Sequence, residues 1–269
     1  KVLSGIISGG LASLALCFGP AWIFGPRVRD HFSGQMLNFN GIPVPRYLGG
    51  AHYTWQILNG DVSSGRVLQL INDEIDRGPV IRAEKSSLNK NVRLPIDYYR
   101  ENLVLGKAFI EKFVCDMHDN KEFKLEKFES YEKDRVYFPR LLTLEHAWID
   151  WKWSGEDIER FCCAFDNPYP GASTFLEGTR VLLAGVRMDR SDEKFHPYCN
   201  GLILRLYRGI AYIGTTTGIL AVDSIKSEDG KNMMSRLREG RRLATPGDNL
   251  ERSAMIIPKV TSTTTTIEE

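Results

Sequence analysis

The sequence predicts a two-unit α/β protein: an open, partly parallel sheet carrying helices, followed by a smaller β-barrel. Three observations predict it. The run from Ser13 to Phe18 is uniformly apolar, as expected of a parallel strand covered on both faces. Between that run and His118, stretches of strand length and β-type composition alternate with stretches of helical period. Beyond Gly171, several short strand-like runs follow one another through glycine turns, the pattern of a small barrel.

Taken in order, a loop from Gly19 to Phe24 follows the first strand, and Pro26 to Ser33 reads as a short helix with Val28 and Phe32 on one face. Met36 to Phe39 is a strand. His52 to Asn59 is a helix with Trp55 and Leu58 inward, broken by Gly60-Asp61. Val67 to Ile71 and Val80 to Ala83 are strands, and Tyr98 to His118 is a long amphipathic helix with Leu103, Ala108, Ile110, Phe113 and Val114 as its apolar side. The charge-rich stretch Lys121 to Lys133 has few apolar anchors and reads as an interdomain linker. Trp148 to Trp151 opens the second unit. Ser154 is placed to cap a helix whose first turn holds Glu156 and Asp157, a charge arrangement that suits the helix dipole. Ile158, Phe161, Cys162 and Phe165 form its apolar face, and Asn167-Pro168-Tyr169-Pro170-Gly171 stops it. Strands are expected at Ser173–Leu176, Val181–Val186, Leu202–Tyr207, Ile210–Gly214 and Gly218–Ile225. The expected boundaries are a first domain over residues 1–120, a linker over 121–144, a second domain over 145–250 and a disordered tail over 251–269, including the Thr261–Thr266 tract.

The 269 residues carry 35 basic and 34 acidic side chains, a net charge of +1, which argues against a large nucleic-acid footprint. Arg236, Arg238, Arg241 and Arg242 make a local basic patch and read as a solvated face. Five cysteines without CxxC spacing read as reduced thiols of an intracellular protein, with no metal site implied. The uncharged opening run from Val2 to Pro26 is too interrupted by glycine and proline for a membrane span or a signal peptide. A cytoplasmic location is expected, an organelle matrix being the alternative.

The most specific stretch is Asn38-Phe39-Asn40-Gly41-Ile42-Pro43-Val44-Pro45, ending in Gly49-Gly50 and answered 38 positions after Asn38 by Ile75-Asp76-Arg77-Gly78-Pro79. Side chains alternate along a strand, so Asn38 and Asn40 point the same way, at the carboxyl end where open α/β sheets form their ligand crevice. Taken alone, the two asparagines are ordinary turn residues and Asp76 a turn cap. Together they resemble the formyltransferase family that uses 10-formyltetrahydrofolate. That family carries Asn-x-His, a proline-rich turn and a later Leu-Asp-x-Gly; here Asn40 stands where the family has histidine. Ile149-Asp150-Trp151, Pro168-Tyr169-Pro170-Gly171-Ala172, Gly218-Ile219-Leu220 and Gly240-Arg241-Arg242-Leu243 look like the OB-like second domain of methionyl-tRNA and sugar-amine formyltransferases. The resemblance covers about residues 13 to 250.

The resemblance implies a Rossmann-like first domain, of which only one strand precedes the motif here, so that the first strand–helix units of that domain are expected to be missing. It implies 10-formyltetrahydrofolate as formyl donor and no metal. Asn38 would donate to the developing oxyanion, Asn40 would occupy the histidine's place and Asp76 would accept the proton. Asn72, Asp73, Glu74 and Ile75 would hold the pterin, with Phe18, Ile23 and Leu70 as apolar walls. Expected acceptors are a nucleotide-linked amino sugar or other small amine first, methionyl-tRNA (the initiator tRNA) second, and glycinamide ribonucleotide third. No membrane partner is expected, and homo-oligomerisation stays open. Because asparagine cannot accept and return a proton near neutral pH, a slow or inactive site is expected unless His52 or water compensates. A non-catalytic binding or assembly subunit is the alternative reading.

Overall fold

Alternation along one strand, β2 (Met36–Asn40), sorts the first unit into two faces. The computed structural model describes residues 14–19, 23–128, 133–190 and 192–257; Ser13, the middle of the loop expected after the first strand and the Thr261–Thr266 tract lie outside them. β2 pairs in parallel with β1 (Ala15–Phe18), in the register Cys17↔Asn38 and Phe18↔Phe39. Between them lies α1 (Pro26–His31). On its other side β2 pairs antiparallel with β4 (Ser63–Leu70), which pairs antiparallel with β5 (Val80–Ser87), giving the order β1-β2-β4-β5. The parallel character expected of this sheet is therefore carried by β1 and β2, while β4 and β5 form a long hairpin.

Leu37 and Leu68 on the one face meet Phe109 and Phe113 of α3 (Pro95–His118), all buried. Pro95 at the first turn and the Asp97 carboxylate, which accepts from the backbone N–H of Leu94 at 3.0 Å, start this helix. Its buried stripe is Tyr98, Asn102, Gly106, Phe109 and Phe113; Leu103 and Val114, expected inward, are 59% and 49% exposed. A Cβ at Gly106 would stand 2.9 Å from the tip of the Phe39 ring, so helix and ring pack closely here.

The charge-rich segment expected as a linker lies against the first unit. Glu126 and Val80 exchange both backbone hydrogen bonds at 2.8 Å, and Phe128 is buried with Ile42, Val44, Leu48 and Val67. A further seam follows: β6 (Tyr137–Phe138) pairs in parallel with β3 (Leu48–Gly49). The Gly49 backbone sits at φ +104° with the Phe138 carbonyl 2.1 Å from where a Cβ would be, so the two chains can touch only at glycine.

The second unit is a six-stranded antiparallel sheet: β7 (Ala172–Leu176), β8 (Thr179–Arg190), β9 (Ile203–Tyr207), β10 (Ile210–Thr215), β11 (Gly218–Ser227) and β12 (Leu243–Ala244), in the order β12-β7-β8-β11-β10-β9. Its two edges meet: Ile203 donates to the Arg241 carbonyl and Leu243 to the Gly201 carbonyl, each at 2.8 Å, curling the sheet into a barrel with no long free edge. Among the helices, α4 (Thr143–His146) leads in, and α5 (Gly155–Ala164), capped by the Ser154 hydroxyl, packs on β8 and β11. The helix α2 (His52–Leu58) of the first unit packs on α5. One apolar cluster accordingly holds Ile57, Leu88 and Tyr98 of the first unit with Phe161, Leu183, Ile213 and Leu220 of the second. The expected tail boundary at 250 falls inside a further helix, α6 (Gly247–Met255), whose first-turn Asp248 suits the helix dipole. Among the described residues no helix is long and apolar enough to cross a membrane.

Candidate active site

Asn38 and Asn40 stand on the face of β2 opposite α3, as strand alternation requires. The chain leaves β4 at Leu70, which pairs with Leu37 near the start of β2, so the following loop emerges at the far end of the strand from Asn40. It then doubles back over the asparagine face. Gly78 makes this reversal feasible, because its backbone runs so close to Leu70 that a Cβ would overlap the Leu70 carbonyl oxygen, at 1.6 Å. At the loop's tip the Asn72 carboxamide oxygen accepts from Glu74 N–H at 3.0 Å, and Asp76 adopts φ +55°, a left-handed conformation aspartate tolerates better than most residues.

That turn delivers the carboxylate to both amides. Asn38 Nδ2 donates to Asp76 Oδ1 at 3.4 Å and Asn40 Nδ2 donates to the same oxygen at 3.2 Å. Each carboxamide has two N–H donors, so each keeps one for something else. Asn38 is buried, whereas Asn40 and Asp76 are partly open. The sequence-derived trio is thus brought together across 38 and 36 residues of chain.

The other expected site residues divide into two groups. Asn72, Asp73, Glu74 and Ile75 form the exposed tip of the returning loop, and the Asp73 carboxylate pairs with Arg29 of α1. Among the hydrogen bonds of the described residues, the backbone N–H groups of Asp73 and Ile75 donate to no protein acceptor. Phe18, Ile23 and Ile75 are exposed, as are other large apolar side chains of the described residues. Phe18, in register with Phe39, and Leu70, in register with Leu37, sit on the α3 face, opposite the asparagines.

His52 does not approach the trio: among the described residues no hydrogen bond joins it to Asn38, Asn40 or Asp76, and its ring lies edge-on to Tyr53 at 4.2 Å. Burial pushes its imidazole down to about 4, so it stays neutral at physiological pH. Among the described residues no cluster of His, Cys, Asp or Glu could hold a metal ion.

One residue of this face was not singled out from the sequence. Gln69 is 2% exposed and lies directly opposite Asn38 in the β2–β4 register. The available signal was a lone amide within the apolar run Val67-Leu68-Gln69-Leu70-Ile71.

Residues 141–239 match the family described as "Formyl transferase, C-terminal domain". The chain is 28% identical over 229 residues to a methionyl-tRNA formyltransferase of Treponema denticola, covering 82% of this chain and 68% of that protein. It is also 28% identical over 196 residues to that of Pseudothermotoga lettingae, covering 71% of this chain and 59% of that protein; the chain therefore spans about two thirds or less of these relatives' length. Among solved structures, the Helicobacter canadensis N-formyltransferase in complex with folinic acid and dTDP-3-aminofucose superposes with a TM-score of 0.56 at 19% identity, covering 82% of this chain and 76% of that one. The second unit thus matches the C-terminal domain family of formyl transferases, and the chain as a whole is similar in sequence to methionyl-tRNA formyltransferases and in fold to an N-formyltransferase.

Proposed function

We propose that this chain carries the acyl-transfer half of a folate-dependent N-formyltransferase, moving a formyl group from 10-formyltetrahydrofolate to a primary amine. The observation that carries the reading is the single Asp76 oxygen shared by Asn38 and Asn40. In such a transfer the amine nitrogen attacks the formyl carbon, charge builds on the formyl oxygen, and the bond to the folate nitrogen breaks as a proton leaves the amine. Asn38, with one N–H on Asp76 and the other free, supplies a donor to that oxygen. Asp76 accepts the amine proton, directly or through water, and can return it to the departing nitrogen. The returning loop offers open backbone N–H groups at Asp73 and Ile75 and an exposed apolar side chain, Ile75, while Phe18 and Leu70 lie on the opposite face and take no part. Asn40 donates but cannot shuttle a proton, so the native rate is low.

Methionyl-tRNA is the acceptor favoured by the sequence relatives. The barrel surface suits it: Arg205 lies 3.8 Å from the Tyr212 ring centroid, Arg208 5.2 Å from that of Tyr207, and Arg242 5.0 Å from that of Tyr198, with Tyr198 and Tyr207 exposed. A nucleotide-linked amino sugar is the second reading, on the strength of the Helicobacter canadensis structure. Titration of a reduced folate into the purified chain tests the donor half; micromolar binding is expected, and no binding favours a non-catalytic assembly subunit. Formylation of methionyl-tRNA against a dTDP-amino sugar then separates the acceptors.

A further inference from the structure

Two buried carbonyl oxygens lie beside the Asp76 contact with no donor to meet them: Oδ1 of Asn38 and Oε1 of Gln69. The two residues are 8% and 2% exposed and form one rung of the β2–β4 ladder. Residues facing each other on such a rung have Cβ atoms roughly 5 Å apart, within reach of two carboxamides. The ladder between β4 and β5 shifts register beside Gln69, the kind of irregularity that re-aims a side chain next to a site.

The direction of the Asn38 amide is not free. Its NH₂ must face the Asp76 carboxylate, an acceptor, so its oxygen must look the other way and needs a donor. A half-turn of the Gln69 carboxamide about its last bond exchanges acceptor for donor while leaving every other atom in place. We propose that Gln69 is the positioning residue of this site: its NH₂ donates to Asn38 Oδ1 and so locks the Asn38 NH₂ toward Asp76 and the reacting oxygen. Such a rotation would give the orphaned Asn38 oxygen a donor from its register partner. The activity consequence rests on the formyl-transfer reading; the hydrogen bond itself does not.

The experiment follows the Asn38 side-chain NH₂ protons by nitrogen-15 NMR in the full chain, in Gln69→Met, which has no donor, and in Gln69→Glu, which matches glutamine in shape. In both, at neutral pH, the Asn38 NH₂ signal is expected to shift and its protons to exchange with water at least several-fold faster. In Gln69→Glu, lowering the pH protonates the carboxyl, restores a donor and returns the signal toward its original position. An Asn38 signal indifferent to both substitutions overturns the proposal even if formyl transfer is never detected. Where transfer is measurable, Gln69→Met is expected to lower kcat roughly tenfold with KM within about twofold, the mark of an interaction made in the transition state. An equal effect on folate affinity alone would point to packing and overturn it.

Discussion

Position 40 holds an amide where the motif it resembles has a histidine, and on the proposed formyl-transfer reading that difference governs the rate. An asparagine there can hold Asp76 but cannot carry a proton, and general acid–base help is worth on the order of 10²- to 10⁴-fold. Asn40→His is therefore expected to raise the rate of formyl transfer by about 10² or more; an unchanged rate in a single-turnover assay removes Asn40 from the mechanism. Asp76→Asn acts in the opposite sense, abolishing the residual rate while leaving reduced-folate affinity within a few-fold. His52 gives a prediction with a sign. Its imidazole is held at about 4 in the folded state against an ordinary 6.5. As pH falls from 6.5 towards 4 the unfolded chain takes up a proton that the folded chain refuses, so stability is full above 6.5 and lost within that window, by on the order of 3 kcal/mol. Urea unfolding across pH 4–7 checks this, with His52→Phe expected to flatten the dependence. The trio was legible because Asn, Asn and Asp came with family spacing. Gln69 was not, because its importance lies in its register partner, and pairing register depends on turns remote in sequence.

Among the elements, the returning loop after β4 is what converts sequence distance into contact. Gly78→Ala is expected to cost more than about 2 kcal/mol, because the new methyl overlaps backbone that cannot give way, and to move Asp76 off both amides. Urea melts with the NMR signals of both asparagine side chains report the two effects; a variant of native stability would mean the loop does not cross there. The longer elements were legible in kind, since strand and helix periods are local properties, but several strands run further than expected and the short pairing strands were not read at all. Nor was the face of α3. Leu103 and Val114 obey a helical period as well as Phe109 and Phe113 do, and the buried stripe is the one that meets Leu37 and Leu68, a packing invisible in the helix alone. The charged segment from Lys121 was likewise read by its composition, whereas two apolar side chains and a backbone pairing decide where it lies.

For the molecule as a whole, the shared core joining Ile57, Leu88 and Tyr98 to the barrel predicts a single cooperative unfolding transition rather than two. Ile57→Ala should lower that one transition by about 2–5 kcal/mol, and resolved separate transitions in calorimetry would show the units to be independent. Two units and their order were legible from composition and turn spacing. Their fusion was not, because helix α2 presents to α5 a surface that reads, in sequence, as an ordinary amphipathic helix. The seam between residues 48–50 and 136–138 adds a mechanical consequence. Chain on its way to the barrel is stitched onto the very turn that follows Asn40, leaving little slack between the two bodies. The lead-in to the barrel is thereby pinned a few residues downstream of Asn40.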